Sequence, residues 1–382
     1  MTWVRLLSRI LVGLVFAFSG FVKAIDPWGS AIKFQDYLVS FGMDSVVGLS
    51  FFFAILLSTI EFVVGFCLLT GVRMKLASLG ALLFMIFFTP LTLYIAIANP
   101  VSDCGCFGDA IIMTNWQTFY KNIFIIALAI IVFWQRNKYK PFFTVITEWT
   151  ITGLGVAISL FLAWYSYANL PIMDFRPYKV GNNISELMTI PEDAPIDEYI
   201  YIYNMENSAS GEKKDLTSKE YLDTEIWKDT TWSIVNTSDP ILVSKGYHPV
   251  IDNFSIYSLA QGYDITDDIL EDENPVFLLI MYKLDKVGMK NFKKIIDLAE
   301  FAIAEGYSFY AVTASVSHEI EQFIEKNNNP PFDFCIGDET TLKTIIRANP
   351  GIVLLKKGTV LGKWHHNNTP SPKKIHKKYL KK

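Results

Sequence analysis

Apolar runs of about twenty residues fill most of the first 170 positions of this 382-residue chain, and no other feature limits its possible folds as strongly. The first begins at the N-terminus around Arg5 and Arg9, and others follow at 48–70, 76–98, 117–134 and 149–170. A helix needs about 20 apolar residues to cross a bilayer core. One such run could be a buried helix of a soluble protein. Five in succession, with short charged loops between them, predict a five-span helical membrane domain. The exit of the first run, GFVKAIDPWG, lacks a small-residue cleavage site, so that run reads as an uncleaved anchor.

Lys and Arg in the short loops predict the orientation. Arg5 and Arg9, then Arg73 and Lys75, then Arg136, Lys138 and Lys140 all fall on one side. The first loop balances Lys23 and Lys33 against Asp26 and Asp36. The N-terminus is therefore expected in the cytoplasm of a bacterium, with the spans in its inner membrane and residues 171–382 in the periplasm. The net charge of -4 offers no basic face outside the tail SPKKIHKKYLKK, which argues against a nucleic-acid partner. That tail, with six lysines, reads as solvated, and His365-His366 as a solvent-facing pair.

Beyond Pro171 the composition becomes that of a soluble protein. IDEYIYIYNMEN (196–207) alternates apolar and polar residues before a turn-rich SASGEKKD, which predicts a strand and a hairpin. Further on, NPVFLLIMY, the helical pattern of 289–306, YSFYAVTAS, SHEIEQFIEKNN and the segment from Phe332 to Trp364 alternate strand and helix. Lys357-Gly358 marks a hairpin turn. An α/β domain with a partly parallel sheet is expected.

This order resembles a thioredoxin-like fold of the peroxiredoxin/TlpA type. Asn349-Pro350 falls where that family has a cis-proline, and NFSIYSLAQGYDIT resembles its entry hairpin. The segment that would carry C-x-x-C reads MYKLDKVGMKNF, without cysteine, so only the scaffold is implied. Cys335, near Asp338, reads as a small buried apolar residue.

Two of the chain's four cysteines, Cys104 and Cys106, sit in PVSDCGCFGD between the third and fourth runs. On the expected outer face disulfides persist. A Cys-Gly-Cys ring is small, strained bridges are easier to reduce, and Gly105 and Gly108 allow the backbone such a loop needs. Asp103 and Asp109 oppose thiolate formation unless a cation is near. Three readings stand open: a redox dithiol, a soft-metal site for Cu(I) or Zn with Cys104 and Cys106 as ligands, and a static loop. Cys67 lies near the opposite end of its span and is not expected to take part.

CGCFGD in this position resembles the signature of the DoxX/MauE family of membrane proteins. The first span, RILVGLVFAFSGFVK, and Glu61 with Gly65 and Gly71 resemble its first two helices. The resemblance covers about 135 residues and implies a redox-associated membrane protein. It allows a membrane quinone as electron partner, which no motif of this sequence demands.

Glu61, midway along the second span, is costly in lipid and needs a partner. Helix rise places Glu61 and Arg9 at similar depths, roughly 20 Å below the outer ends of their helices, so an Arg9–Glu61 pair is expected, structural or proton-linked. Lys23 is expected to reach the headgroups, with a cation's role beside the thiols as the alternative. Thr89-Pro90 predicts a bend in the third span.

The expected organisation is a four-span domain over 1–140, a fifth helix over 141–170, and a β-rich segment over 171–250. A thioredoxin-like domain over 251–368 and a basic tail over 369–382 complete it. The expected function is a periplasm-facing thiol-disulfide or quinone-linked redox partner, with membrane lipid and a periplasmic thiol client or protein as partners. The alternatives are a non-catalytic scaffold and a soft-metal-binding membrane protein.

Overall fold

A computed structural model describes residues 2–101 and 103–380. Its helices α1 (Thr2–Ile25), α3 (Ser50–Thr70), α4 (Met74–Ala98), α5 (Asn115–Trp134) and α6 (Val145–Ala168) form a bundle. Each is long and apolar enough to cross a membrane, and only 17–39% of each most apolar window is buried inside the protein. The remaining apolar surface, including Phe87, Ile97, Phe124 and Trp164, faces outward as lipid solvation requires. This is a multi-pass membrane protein. α2 (Pro27–Ser40), which the sequence reading took as a loop, is a short helix lying between the first two spans. Asp26 caps it by accepting from the Gly29 amide, and Pro27 occupies its first turn.

α1 and α3 cross closely. A Cβ on Gly65 would overlap the backbone of Ala17, and one on Gly20 the backbone of Phe62. Small residues at such points let helices in lipid approach until their backbones touch. Arg5 and Arg9 gather over the ring of Tyr139 at one end of the bundle, and Arg73 stacks 4.2 Å over Trp149 at that same end. The cysteine loop lies at the other end.

Two compact units make up the chain. The smaller, Ile184–Asn253, contains α7 (Ile184–Met188), β1 (Glu198–Ile200), β2 (Ile202–Asn207), β3 (Lys213–Thr217), α8 (Ser218–Asp223), β4 (Trp232–Thr237) and β5 (Ile241–Ser244). β2 and β3 form the expected hairpin, β4 adds to β2 antiparallel, and β1 pairs with β5.

The larger unit joins the bundle to a C-terminal α/β domain. Here β6 (Tyr257–Ser258), α9 (Thr266–Glu271), β7 (Val276–Ile280), α10 (Phe292–Ala304), β8 (Phe309–Thr313), α11 (Ser317–Lys326), β9 (Asp333–Ile336), α12 (Glu339–Ile345), β10 (Gly351–Lys356) and β11 (Thr359–His365) follow in order. The sheet runs β11-β10-β7-β8-β9-β6, parallel from β7 to β9 and antiparallel on both flanks. Asn349-Pro350 is cis, and Lys357 and Gly358 both take positive φ at the β10–β11 turn. This connectivity is thioredoxin-like, and β7 is buried along its whole length as a central strand should be.

Two expectations for the end of the chain are corrected. The lysine-rich tail is not a solvated strand of chain: α13 (Pro372–Ile375) and a helical turn, His376–Leu380, bury Ile375 and Leu380 in the same core as α10. Spaced apolar residues among the lysines give the segment a buried face. His365 is buried as well, and burial together with His366 pushes its pKa down to about 4.

Candidate functional site: a cysteine loop over a buried ion pair

α4 ends at Asn99 in a left-handed conformation, and the chain then turns back towards α5. Asn115 ties the two ends of the loop, its amide donating to Asn99 Oδ1 and to the Val101 carbonyl, both at 2.9 Å. Within the loop Asp103 accepts from the Gly105 amide at 2.8 Å. Gly105 (φ 62°) and Gly108 (φ 50°) have the positive φ that glycine adopts without cost. Side chains of the bundle hold the loop from below. Lys33 pairs with Asp103 at 2.6 Å, Tyr37 donates to the Cys104 carbonyl at 2.8 Å, and Ser19 lies 2.7 Å from the Cys106 carbonyl.

Cys104 and Cys106 are free thiols with their sulfurs 2.8 Å apart. They differ in acidity. The hydrogen bond between the two thiols, in which either can donate, brings Cys106 down to about 6 with help from Lys121 and Lys23 and against the opposing effects of burial and Glu61. Cys104 is raised, by that same hydrogen bond and by burial. Both cysteines line a cavity of about 310 Å³ walled largely by aromatic and aliphatic side chains, Phe16, Phe34, Phe84 and Phe88 among them. Its rim includes Phe41, Met43 and Phe87, all exposed on the apolar flank of the bundle. A second cavity of about 290 Å³ lies across the loop, lined by Asp26, Asp36, Lys343 and Arg347. Gly105 borders both cavities, while Cys104 and Cys106 line the apolar one.

Beneath the loop Lys23 reaches Glu61, its Nζ 2.8 and 2.9 Å from the two carboxylate oxygens and 3.1 Å from Ser19 Oγ. The Ser19 hydroxyl also lies 2.9 Å from Glu61 Oε2, so it has two acceptors within reach for its one proton. The expected Arg9–Glu61 pair does not form. The contacts of Gly20 with Phe62 and Gly65 with Ala17 set the register of the crossing and bring Glu61 level with residue 21. Arg9 is twelve residues away, about 18 Å, over Tyr139. Matching helix ends misled the estimate because α3 runs roughly seven residues, about 10 Å, past the end of α1. Lys23 therefore turns inward instead of snorkelling.

Sequence reasoning passed over two cations. Lys121, on α5 and inside the apolar cavity, sits 4.4 Å above the Phe107 ring. Its position early in an apolar run gave the only signal. Arg347, on the loop before the cis-proline, reaches the bundle: its Nε lies 3.1 and 3.2 Å from the Asp26 carboxylate oxygens and its Nη2 3.4 Å from Asp109. Arg347 and Arg176 hold Asp26 below its usual range despite burial, whereas burial outweighs Arg347 at Asp109 and raises it. The other two cysteines lie apart from this site. Cys67 contacts Thr152 at 3.6 Å, and Cys335 is buried in β9, its thiol pushed up to about 12 by burial. Among the described residues no three His, Cys, Asp or Glu side chains converge as metal ligands.

Residues 1–135 match the family model of methylamine utilisation protein MauE. The first four spans are MauE-like. The matched region includes α1, Glu61 and the whole cysteine loop, so the Lys23–Glu61 pair and both thiols belong to the MauE-like part of the chain. DoxX stays a resemblance of the sequence alone. No curated protein matches the chain. A solution structure described as a "putative thioredoxin" from Neisseria meningitidis is similar at 19% identity, over 33% of this chain and 83% of that one, with a TM-score of 0.27. At that score the thioredoxin-like assignment stands on the strand order alone.

Proposed function

We propose that this protein is a membrane thiol-disulfide redox component in which Cys104 and Cys106 cycle between dithiol and disulfide. The observation that carries the reading is the pair itself: two free cysteines with sulfurs in contact, one acidified, both lining an apolar cavity. The thiolate is the reactive form in thiol chemistry, so Cys106 is the sulfur that leaves when a client attacks the bridge at Cys104, and the sulfur that attacks the acceptor when the bridge is re-formed.

The electron path runs from a thiol client through the pair to a lipid-borne acceptor. A client thiolate attacks the Cys104–Cys106 disulfide, and the client's second thiol resolves the mixed disulfide. The client leaves oxidised and the loop regains both thiols. Reoxidation removes two electrons and two protons as one S–S bond forms, and a membrane quinone that takes both becomes the hydroquinone. The apolar cavity favours that class of acceptor, because both cysteines line it and its rim is exposed on the lipid flank. The cluster of Arg5, Arg9, Arg73 and Arg136 at the far end supports a cytoplasmic N-terminus. The loop and C-terminal domain would then be periplasmic, and the spans would lie in the inner membrane.

Thiol trapping in intact cells tests this. The pair should shift between dithiol and disulfide as the envelope is made reducing or oxidising, and replacing both cysteines by serine should leave a client reduced. A pair locked in one state, or clients unaffected by the double substitution, would refute the cycle. A second reading rests on the thioredoxin-like domain, whose first central strand is followed by no cysteine: a scaffold that binds a protein through that domain. Partner recovery by the full-length double-serine variant would favour it.

A further inference from the structure

We propose that Lys121 and Lys23 are the cations that make Cys106 the attacking thiolate, and that Glu61 moderates the influence of Lys23. The inference rests on the redox reading above and adds what tunes its nucleophile. Lys121 lies about 9 Å into α5, counted from Asn115 at helical rise. Its side chain lines the same cavity as both thiols, with the ammonium over the ring of Phe107, the residue next to Cys106. Among the described residues it forms no salt bridge with a carboxylate. A cation in a lipid-facing apolar wall is costly without a counter-charge. Glu61 also lines the cavity but is held by Lys23, which leaves the Cys106 thiolate as the anion for Lys121.

Lys23 is held differently. Its charge is shared with Glu61, and Ser19 links that pair to the Cys106 carbonyl, so the loop cannot drift from the cation. The titratable groups that line the cavity with Cys106 are Cys104 on its own loop, Lys23 on α1, Lys33 and Tyr37 on α2, Glu61 on α3, and Lys121 on α5. From α2, Tyr37 is engaged with the Cys104 carbonyl, and Lys33 is paired with Asp103. Lys121 and Lys23 therefore favour the thiolate, Glu61 opposes it, and the low dielectric of the cavity strengthens all three.

The test is the pH profile of alkylation by N-ethylmaleimide. It uses the reduced full-length chain in lipid nanodiscs, with the labelled cysteine assigned by mass spectrometry. Wild type should label at Cys106 with a midpoint near 6. Lys121→Met and Lys23→Met should each move that midpoint up by about one pH unit, and Glu61→Gln should move it down. An unchanged midpoint in Lys121→Met, or Lys23→Met and Glu61→Gln shifting the same way, overturns the proposal and leaves a structural clamp. Should the α1 or α3 variants fail to fold, Lys121→Arg against Lys121→Met decides alone: the first keeps the wild-type profile and the second does not. The readout needs no turnover. A wild-type profile as expected, with a pair that never changes oxidation state in cells, sinks the redox reading and keeps the tuning; cycling with unmoved midpoints does the reverse.

Discussion

Cys104 and Cys106 are separated by one glycine, yet the two thiols share one hydrogen bond and differ in acidity. Gly105 makes this possible, because its positive φ folds the chain so that both sulfurs fall on one side of the loop. Alanine there would take on a left-handed strain of roughly 1–2 kcal/mol and press its Cβ against Lys33. Gly105→Ala should therefore slow formation of the intraloop disulfide, read as the rate at which both thiols vanish under a mild oxidant. Acidity gives a second expectation at this scale. The Cys106 thiol loses its proton as pH rises through about 6, so its labelling falls away below that value while Cys104 stays protonated well above it. Equal labelling of the two sulfurs across the range would contradict the asymmetry.

The elements position these residues through two contacts of different character. The crossing of α1 and α3 depends on the absence of side chains at Gly20 and Gly65. Gly65→Val should force the helices apart, cost about 1–3 kcal/mol and uncouple Lys23 from Glu61. Lower thermal stability in detergent, together with an altered Cys106 pH profile, would register both effects. The second contact is Arg347, which joins the loop before β10 to Asp26 and Asp109. Its side chain is only 7% exposed, so Arg347→Ala strands a half-buried aspartate and should cost about 2 kcal/mol. A double-mutant cycle with Asp26→Ala would isolate the pair, and a coupling near zero would show that the contact carries no energy.

How far the sequence could be read follows from these same elements. Apolar runs announce spans because lipid leaves no alternative, and a CGC loop stands out in a chain with so few cysteines. The alternation of strand and helix after residue 274 likewise reveals a partly parallel sheet. Register was hidden: glycine spacing does not state which residue of α3 meets which residue of α1, so Glu61 was assigned to Arg9 rather than Lys23. Lys121 was hidden for another reason, since a lysine near a helix end normally snorkels to the headgroups. Arg347 lies more than three hundred residues from Asp26, and no local pattern joins them.

Taken whole, the molecule has a loop with a polar cavity on one side and an apolar one on the other. Cys104 and Cys106 line the apolar one although the loop itself lies at the end of the bundle. Reagents that partition into lipid should therefore reach Cys104 and Cys106 faster than charged reagents of equal intrinsic reactivity. Parallel labelling of membrane vesicles with N-ethylmaleimide and a sulfonated maleimide would measure this. Equal rates would mean that the thiols are approached from water and would weaken the case for a lipid-borne acceptor.

The reach of Arg347 into the bundle also bears on how this chain can be handled at the bench. Cutting it after residue 170 to obtain a water-soluble fragment would separate a cation from both of its acids, which would remain in the membrane half. The freed fragment would expose a guanidinium built for a dry, negatively charged seat, a surface that would bind acidic contaminants without meaning. The membrane half would retain two unanswered carboxylates beside its thiols, and its chemistry would no longer be that of the intact protein.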